Sequence, residues 1–254
     1  MNSVDNSQRI AARIAGVSGL LTVVIVVLGN YVLIGPLVVA GNATETARNI
    51  VAHQTQVRVA LTCFLTYGVI VVVLLSLYVI LRPVDRLLAL VAALFRLVFA
   101  LLWLLTTLNL LVALRLVGNA PYLQAFETNH LQALARLQIA ANFDDYYVGL
   151  PFFGLAATVC GYLWFKSGYI PRILAAFGVI ASAWCVICAF IFLIFPHFNR
   201  VVNDYWFDSP MAIFELALSF WLLFKGIGTS NHGEADHINA RSTKSVSLQL
   251  PMFI

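Results

Sequence analysis

The chain has 254 residues, of which 61% are hydrophobic and only 10% are charged, and its formal net charge is +4. A soluble domain normally carries about a quarter charged residues, so this composition excludes a fold with a water-facing surface. The positive charge is spread thinly and forms no dense basic face, which excludes nucleic acid as a partner. The mean hydropathy of +0.91 instead indicates a partner of another kind, the lipid bilayer.

Six apolar stretches follow one another along the chain, and helices of roughly 20 such residues cross the hydrocarbon core. Backbone polar groups in lipid must be paired within their own segment, so each stretch is predicted to be helical. The expected fold is all-α, a six-helix transmembrane bundle with spans near residues 10–34, 57–81, 87–114, 143–165, 173–195 and 211–224. The short sixth span begins earlier if Tyr205, Trp206 and Phe207 belong to it.

The basic residues between the spans predict the orientation. With six spans both termini lie on one side, together with nine of the Lys and Arg residues, against five on the other side. Because cytoplasmic segments are enriched in Lys and Arg, both termini are expected in the cytoplasm.

The segments outside the spans differ in composition. Residues 1–8 form a polar N-terminal lead, residues 9–227 the six-span membrane domain, and residues 228–254 a polar tail predicted to be disordered and cytoplasmic. Residues 122–142 carry apolar residues at helical spacing, which predicts an external interfacial helix before span four.

Two residues of opposite charge interrupt the apolar spans at the same depth. Arg96 comes ten residues after Arg86, and Glu215 comes ten residues before Lys225. At 1.5 Å per residue, each lies roughly 15 Å from the cytoplasmic boundary, near the middle of the bilayer. An unpaired charge there costs on the order of 3 kcal/mol or more. Arg96 and Glu215 are therefore expected to face the bundle interior and pair with each other.

This predicted pair has two interpretations. It either only holds spans three and six together, or it borders a cavity in which Glu215 exchanges a proton or contacts a solute. Trp103, seven residues after Arg96, and Ser219, four residues after Glu215, lie on the same helix faces and complete the predicted polar core.

A second group of polar residues lies nearer the external boundary. Asp144 and Asp145 are either solvated at a helix entrance or act as paired carboxylates, and Pro151 is expected to kink the helix beside them. Arg58, Asn109 and Tyr147 are secondary candidates, although polar residues in membrane helices often serve only to join helices.

No motif indicates a cofactor or a metal ion: the sequence has no glycine-rich phosphate loop and no H-E-x-x-H. Cys185 and Cys188 form a C-x-x-C in span five, which is typical of thiol redox sites but also of small apolar packing residues. Their role stays open.

Four stretches together resemble the bacterial membrane-protein family known as domain of unknown function 4386. The resemblance spans about residues 9–227 and is carried by "RIAG" (13–16), "LYVILRPVDRLLALVAALFRL" (77–97), "FFGLAATVCGYLWFKSGYIPRILAAFGVI" (152–180) and "ELALSFWLLFKG" (215–226). It implies a multi-pass protein of the bacterial cytoplasmic membrane and supplies no activity. The arginine of the family's "FRL" motif and the glutamate of its last helix map onto Arg96 and Glu215.

Two functions are compatible with these observations. The first is a non-enzymatic protein that binds or passes a small lipophilic or charged solute through a cavity bordered by Arg96 and Glu215. The second is a membrane-embedded enzyme acting on a lipid or isoprenoid, with Glu215 or Asp145 as general acid. The sequence determines neither the solute nor the oligomeric state.

Overall fold

The computed structural model of the chain describes residues 5–39, 42–118, 121–195 and 204–228. Within these ranges every regular element is a helix and none is a strand, which confirms the predicted all-α class. The main helices are α1 (Asn6–Val26), α2 (Ala43–Ala52), α3 (Gln54–Thr66), α4 (Ile70–Leu81), α5 (Arg86–Leu116), α6 (Thr128–Ser167), α7 (Arg172–Ile194) and α8 (Asp204–Phe224).

Six helical runs among the described residues are long and apolar enough to cross a membrane, so the chain is an integral membrane protein. They are Asn6–Leu37, Gln54–Leu81, Arg86–Leu116, Thr128–Ser167, Arg172–Ile194 and Trp206–Phe224. The six predicted spans are thereby confirmed. The sixth helix begins at Asp204, which agrees with the longer of the two predicted versions of that span.

The six spans form a closed ring in chain order. α1 packs against α4, α4 against α5, α5 against α6, α6 against α7 and α7 against α8, and α8 returns to pack against α1. Spans three and six therefore lie on different sides of a common interior, and side chains from both can meet there.

The long helix α5 shows which face of a span points into this ring. Its buried residues recur at alternating three- and four-residue intervals, whereas its exposed leucines recur every seven residues on the other side. The buried residues include Arg96, Phe99, Trp103, Thr106, Leu110 and Ala113, and the most exposed leucines are Leu87, Leu94, Leu101 and Leu108. The apolar outer face suits contact with lipid, and the inner face carries the arginine.

The predicted interfacial helix is the first part of a longer helix. Residues 128–142 are helical, but they continue without interruption into span four as the 40-residue helix α6. At 1.5 Å per residue α6 is about 60 Å long, twice the thickness of the hydrocarbon core. Its contacts include α2 and α5. Its position relative to the membrane surface stays a prediction.

Both predicted terminal segments lie partly or wholly outside the described residues. The lead is described from residue 5, and its last residues already belong to α1, where Gln8 donates a hydrogen bond to the carbonyl of Ile80 at 3.0 Å. Residues 229–254, nearly all of the predicted tail, fall outside the described ranges.

The ring closes where α1 and α8 approach each other at Gly16. A methyl group added there would lie 2.7 Å from the backbone nitrogen of Leu223 and 2.8 Å from the carbonyl oxygen of Ser219. Small residues at such positions let two membrane helices pack backbone to backbone.

We expect Gly16→Ala to lower stability by about 1–3 kcal/mol, because two backbones must move apart to accommodate the methyl group. Gly68→Ala is the matched control, since an added methyl group at Gly68 meets nothing within 4 Å. The midpoint of thermal unfolding in detergent measures the effect. Equal midpoints for the two variants would contradict this account of ring closure.

Candidate functional site

Arg96 and Glu215, the two charges that the sequence places at equal depth, are in direct contact. Arg96 Nη2 donates a hydrogen bond to Glu215 Oε1 at 2.8 Å, and the exposed fractions of the two side chains are 4% and 14%. The contact joins α5 to α8 across the interior of the ring.

The guanidinium of Arg96 makes one further contact, but not all of its N–H groups have a hydrogen-bond acceptor. Its Cζ lies 4.8 Å from the centre of the Phe153 ring, a cation–π geometry. The buried Arg96 Nε and the buried Trp103 Nε1 find no acceptor among the described residues. Neighbouring side chains cover both atoms, as they cover Trp164 Nε1, a third buried donor without an acceptor among the described residues.

A cavity of about 150 Å³ lies beside the ion pair. Side chains from α1, α4, α5, α6 and α8 line it, and Arg96 and Glu215 are both in its wall. Six aromatic rings contribute to the wall: Tyr31, Tyr67, Phe99, Trp103, Tyr146 and Phe153. A cavity of about this volume accommodates one benzene-sized molecule.

The cavity reaches the outer surface of the ring between α1 and α8. Val27 and Tyr31 line it and are 45% and 48% exposed, and Ala212 on α8 lines it and is also exposed. In an integral membrane protein this surface faces lipid.

The opposite direction is closed by an apolar core. Phe214, Leu218 and Leu222 of α8 pack in one buried cluster with residues of α1, α4, α5, α6 and α7. This cluster fills the ring between the ion pair and the end that carries Lys225.

Irregular helix geometry coincides with the cavity. α1 continues as a π-helix over Val27–Ile34, and α3 joins α4 through a 3₁₀ turn at Tyr67–Val69. Tyr31 and Tyr67, which line the cavity, belong to these two segments. Pro151 and Pro210 lie inside α6 and α8 close to other lining residues. Such irregularities are frequent at functional sites.

The cavity contains a second carboxylate, which the sequence analysis missed. Tyr146 OH donates a hydrogen bond to Asp208 Oδ2 at 2.5 Å, and both residues line the cavity. Asp208 precedes Glu215 by seven residues, so the two lie on one face of α8. This spacing is visible in the sequence, and the longer predicted version of the sixth span includes Asp208, but the sequence analysis gave Asp208 no role.

The other members of the predicted polar core have different positions. Trp103 lines the cavity, as expected from its seven-residue distance to Arg96. Ser219 does not: it is buried at the contact between α8 and α1, where it lies against Gly16 and Gly19. Ser219 is therefore placed as a packing residue.

The adjacent carboxylates Asp144 and Asp145 lie apart from the ion pair. Asp144 is exposed, whereas Asp145 accepts a hydrogen bond from Asn109 Nδ2 at 2.6 Å. Neither aspartate is among the residues that line the cavity. The bond between Asn109 and Asp145 joins α5 to α6.

The two remaining secondary candidates are also outside the cavity wall. Arg58 is exposed on α3. Tyr147 stacks on Phe192 of α7 with ring centres 5.7 Å apart, so its neighbour Tyr146, and not Tyr147, is the cavity residue.

The thiols of Cys185 and Cys188 are free and buried in the contact of α6, α7 and α8, where they pack against apolar side chains. Among the described residues, no group of three or more His, Cys, Asp and Glu side chains is arranged to hold a metal ion.

Comparison with known proteins identifies the family without assigning an activity. No solved structure matches the chain. An uncharacterized protein of Archaeoglobus fulgidus is 29% identical over 156 residues, which cover 61% of this chain and 76% of that protein. The family model described as domain of unknown function (DUF4386) matches residues 14–226. With most of its length matched, the chain belongs to the DUF4386 family.

Proposed function

We propose that this protein binds a small, mostly apolar solute that carries a hydrogen-bond acceptor, in the cavity beside Arg96 and Glu215. One observation carries the proposal: a cavity large enough for a small molecule lies beside the buried Arg96–Glu215 pair and has six aromatic rings in its wall. The wall holds the apolar body of the solute, and an acceptor atom of the solute reaches Arg96 Nε or Trp103 Nε1 once the side chains that cover these donors shift.

Binding is better supported than passage through the bundle. The cavity opens sideways between α1 and α8, whereas the apolar cluster around Phe214 and Leu218 fills the half of the ring beyond Glu215. A channel or carrier of polar solutes needs a polar route toward both sides. The lateral opening suits a solute that dissolves in lipid.

An enzyme acting on a lipid or isoprenoid is less well supported. Glu215 is the counter-ion of Arg96, so protonating it to act as an acid leaves a buried guanidinium unpaired, which is costly. Asp145, the other proposed acid, is hydrogen-bonded to Asn109 and lies outside the cavity wall.

For the location of the protein, we propose the bacterial cytoplasmic membrane, with residues 9–227 as the membrane domain and residues 228–254 as a cytoplasmic tail. Lys166, Arg172 and Lys225 line a second cavity of about 650 Å³ at the end of the ring where α6 turns into α7. A cluster of basic residues at one end of the bundle supports the cytoplasmic assignment of that end.

Filling the cavity should remove the bound solute. Ala212 lines the cavity, and its neighbour Ile213 is exposed outside it. We expect Ala212→Phe to lose a low-mass compound that co-purifies with the wild-type protein, and Ile213→Phe to retain it. Extraction of the purified proteins followed by mass spectrometry measures this. The proposal fails if wild type and Ala212→Phe yield the same compounds in the same amounts.

Variants of the ion pair separate a structural from a binding role. Arg96→Met or Glu215→Met alone should destabilise the protein by about 3–5 kcal/mol, because each leaves one buried charge unpaired, whereas the double variant should be close to wild type. We expect the double variant to unfold near the wild-type temperature in detergent but to lose the co-purified compound. Retention of the compound would mean that the pair only joins two helices.

The orientation can be tested with reporter fusions expressed in bacteria. Alkaline phosphatase, which is active only outside the cytoplasm, should be active when fused after residue 118 and inactive when fused after residue 168. A green fluorescent protein fused to the C-terminus should be fluorescent. The reverse pattern would place both termini outside.

A further inference from the structure

The formal charges in the cavity wall do not balance. Arg96, Glu215 and Asp208 line the cavity, and the first two neutralise each other at 2.8 Å. The hydrogen-bond partner of Asp208 is the neutral phenol of Tyr146. Among the described residues, no lysine, arginine or histidine forms an ion pair with Asp208. One positive charge is missing from this end of the cavity.

The missing charge matters because Asp208 is half-buried and most of the side chains around it in the cavity wall are apolar. A carboxylate that has lost part of its water is stabilised in its ionised form by a positive partner. That partner is either a proton on Asp208 itself or a cation that enters the cavity. The residues in the cavity wall favour one of these two partners, the proton or the cation.

The cavity wall beside Asp208 suits a cation. Tyr146 touches Asp208, Trp103 lies 6.0 Å from Tyr146 between ring centres, and Tyr31 lines the same cavity. The faces of tyrosine and tryptophan rings attract ammonium groups, by about 2 kcal/mol when water is excluded. Aromatic rings beside a carboxylate are the combination that binds organic ammonium ions.

The guanidinium of Arg96 is far enough away to permit this. Asp208 and Glu215 are seven residues apart on α8, so about 10 Å of helix separates the two carboxylates. A cation at Asp208 therefore lies at one end of the cavity, and the unpartnered donors of Arg96 and Trp103 lie toward the other.

We infer that the solute is a small organic cation: a protonated amine on an apolar body of about benzene size, whose ammonium group pairs with Asp208. This inference rests on the proposed function, since it names the chemical class that the same cavity binds. Tyr146 donates a hydrogen bond to the carboxylate, but the binding of the ammonium group does not require its hydroxyl, and the aromatic wall covers the apolar body.

Two compounds of equal shape test the charge preference. Benzylammonium and benzyl alcohol are titrated into the detergent-purified full-length protein near neutral pH by isothermal titration calorimetry. We expect benzylammonium to bind at least about tenfold more tightly than benzyl alcohol, a difference of ~1.4 kcal/mol. Asp208→Asn should remove this preference, whereas Asp144→Asn, at an exposed carboxylate outside the cavity wall, should retain it.

Tyr146→Phe keeps the test decisive if Asp208→Asn does not fold. It removes the phenol hydroxyl but leaves the carboxylate, so the preference for benzylammonium should persist. Loss of the preference in Tyr146→Phe would assign the selectivity to the phenol and overturn the inference.

A basic residue elsewhere in the chain could supply the missing charge. Arg200 precedes α8 and lies outside the described residues. If Arg200→Gln creates a preference for benzylammonium that the wild type lacks, the charge comes from the chain and the inference is overturned. A preference of equal size in wild type and Arg200→Gln supports it.

The failures of the two proposals are distinguishable. Equal binding of benzyl alcohol and benzylammonium to the wild type overturns the cationic class, because a proton then neutralises Asp208, and leaves the cavity a binding site. Absence of binding by both compounds, together with no co-purified compound sensitive to Ala212→Phe, overturns the proposed function as well.

Discussion

The buried ion pair between spans three and six is the constraint on which the rest of the structure depends. A guanidinium in the bilayer interior must be paired, and Glu215 pairs it through one of the five N–H donors that arginine carries. The ring of helices stays incompletely packed at Arg96, and the cavity lies at this point.

The interior of the ring is packed differently on the two sides of Glu215. Beyond Glu215, small residues such as Gly16 bring α1 and α8 together, and an apolar cluster fills the interior. On the side of Glu215 toward Asp208, bulky aromatic rings and the π-helix of Val27–Ile34 lie between or beside the same two helices, and the cavity separates them. The result is a pocket that is closed toward one end of the bundle and open toward lipid.

Hydropathy and helix rise were sufficient to predict six spans and the contact between Arg96 and Glu215, because both depend only on distance along a helix axis. The direction in which each side chain points around its helix axis was not predictable from helix rise alone. Ser219 is one turn from Glu215 but turns toward the glycines of α1, and Tyr146, not its neighbour Tyr147, faces the cavity. The cavity is formed by a π-helix and by six aromatic rings from several helices. The sequence pattern of any one helix therefore does not predict it.

The depth of Asp208 connects the charge of the cavity to its opening. Asp208 lies 17 residues before Lys225 on α8, so by the helix rise it is about 25 Å from that end and near the opposite membrane surface. Amphipathic molecules in a bilayer keep their charged group at the surface and their apolar part in the hydrocarbon. The cavity has the same polarity, with a carboxylate toward the surface and aromatic walls below it. The proposed organic amine would then move sideways from the bilayer into the cavity without turning over.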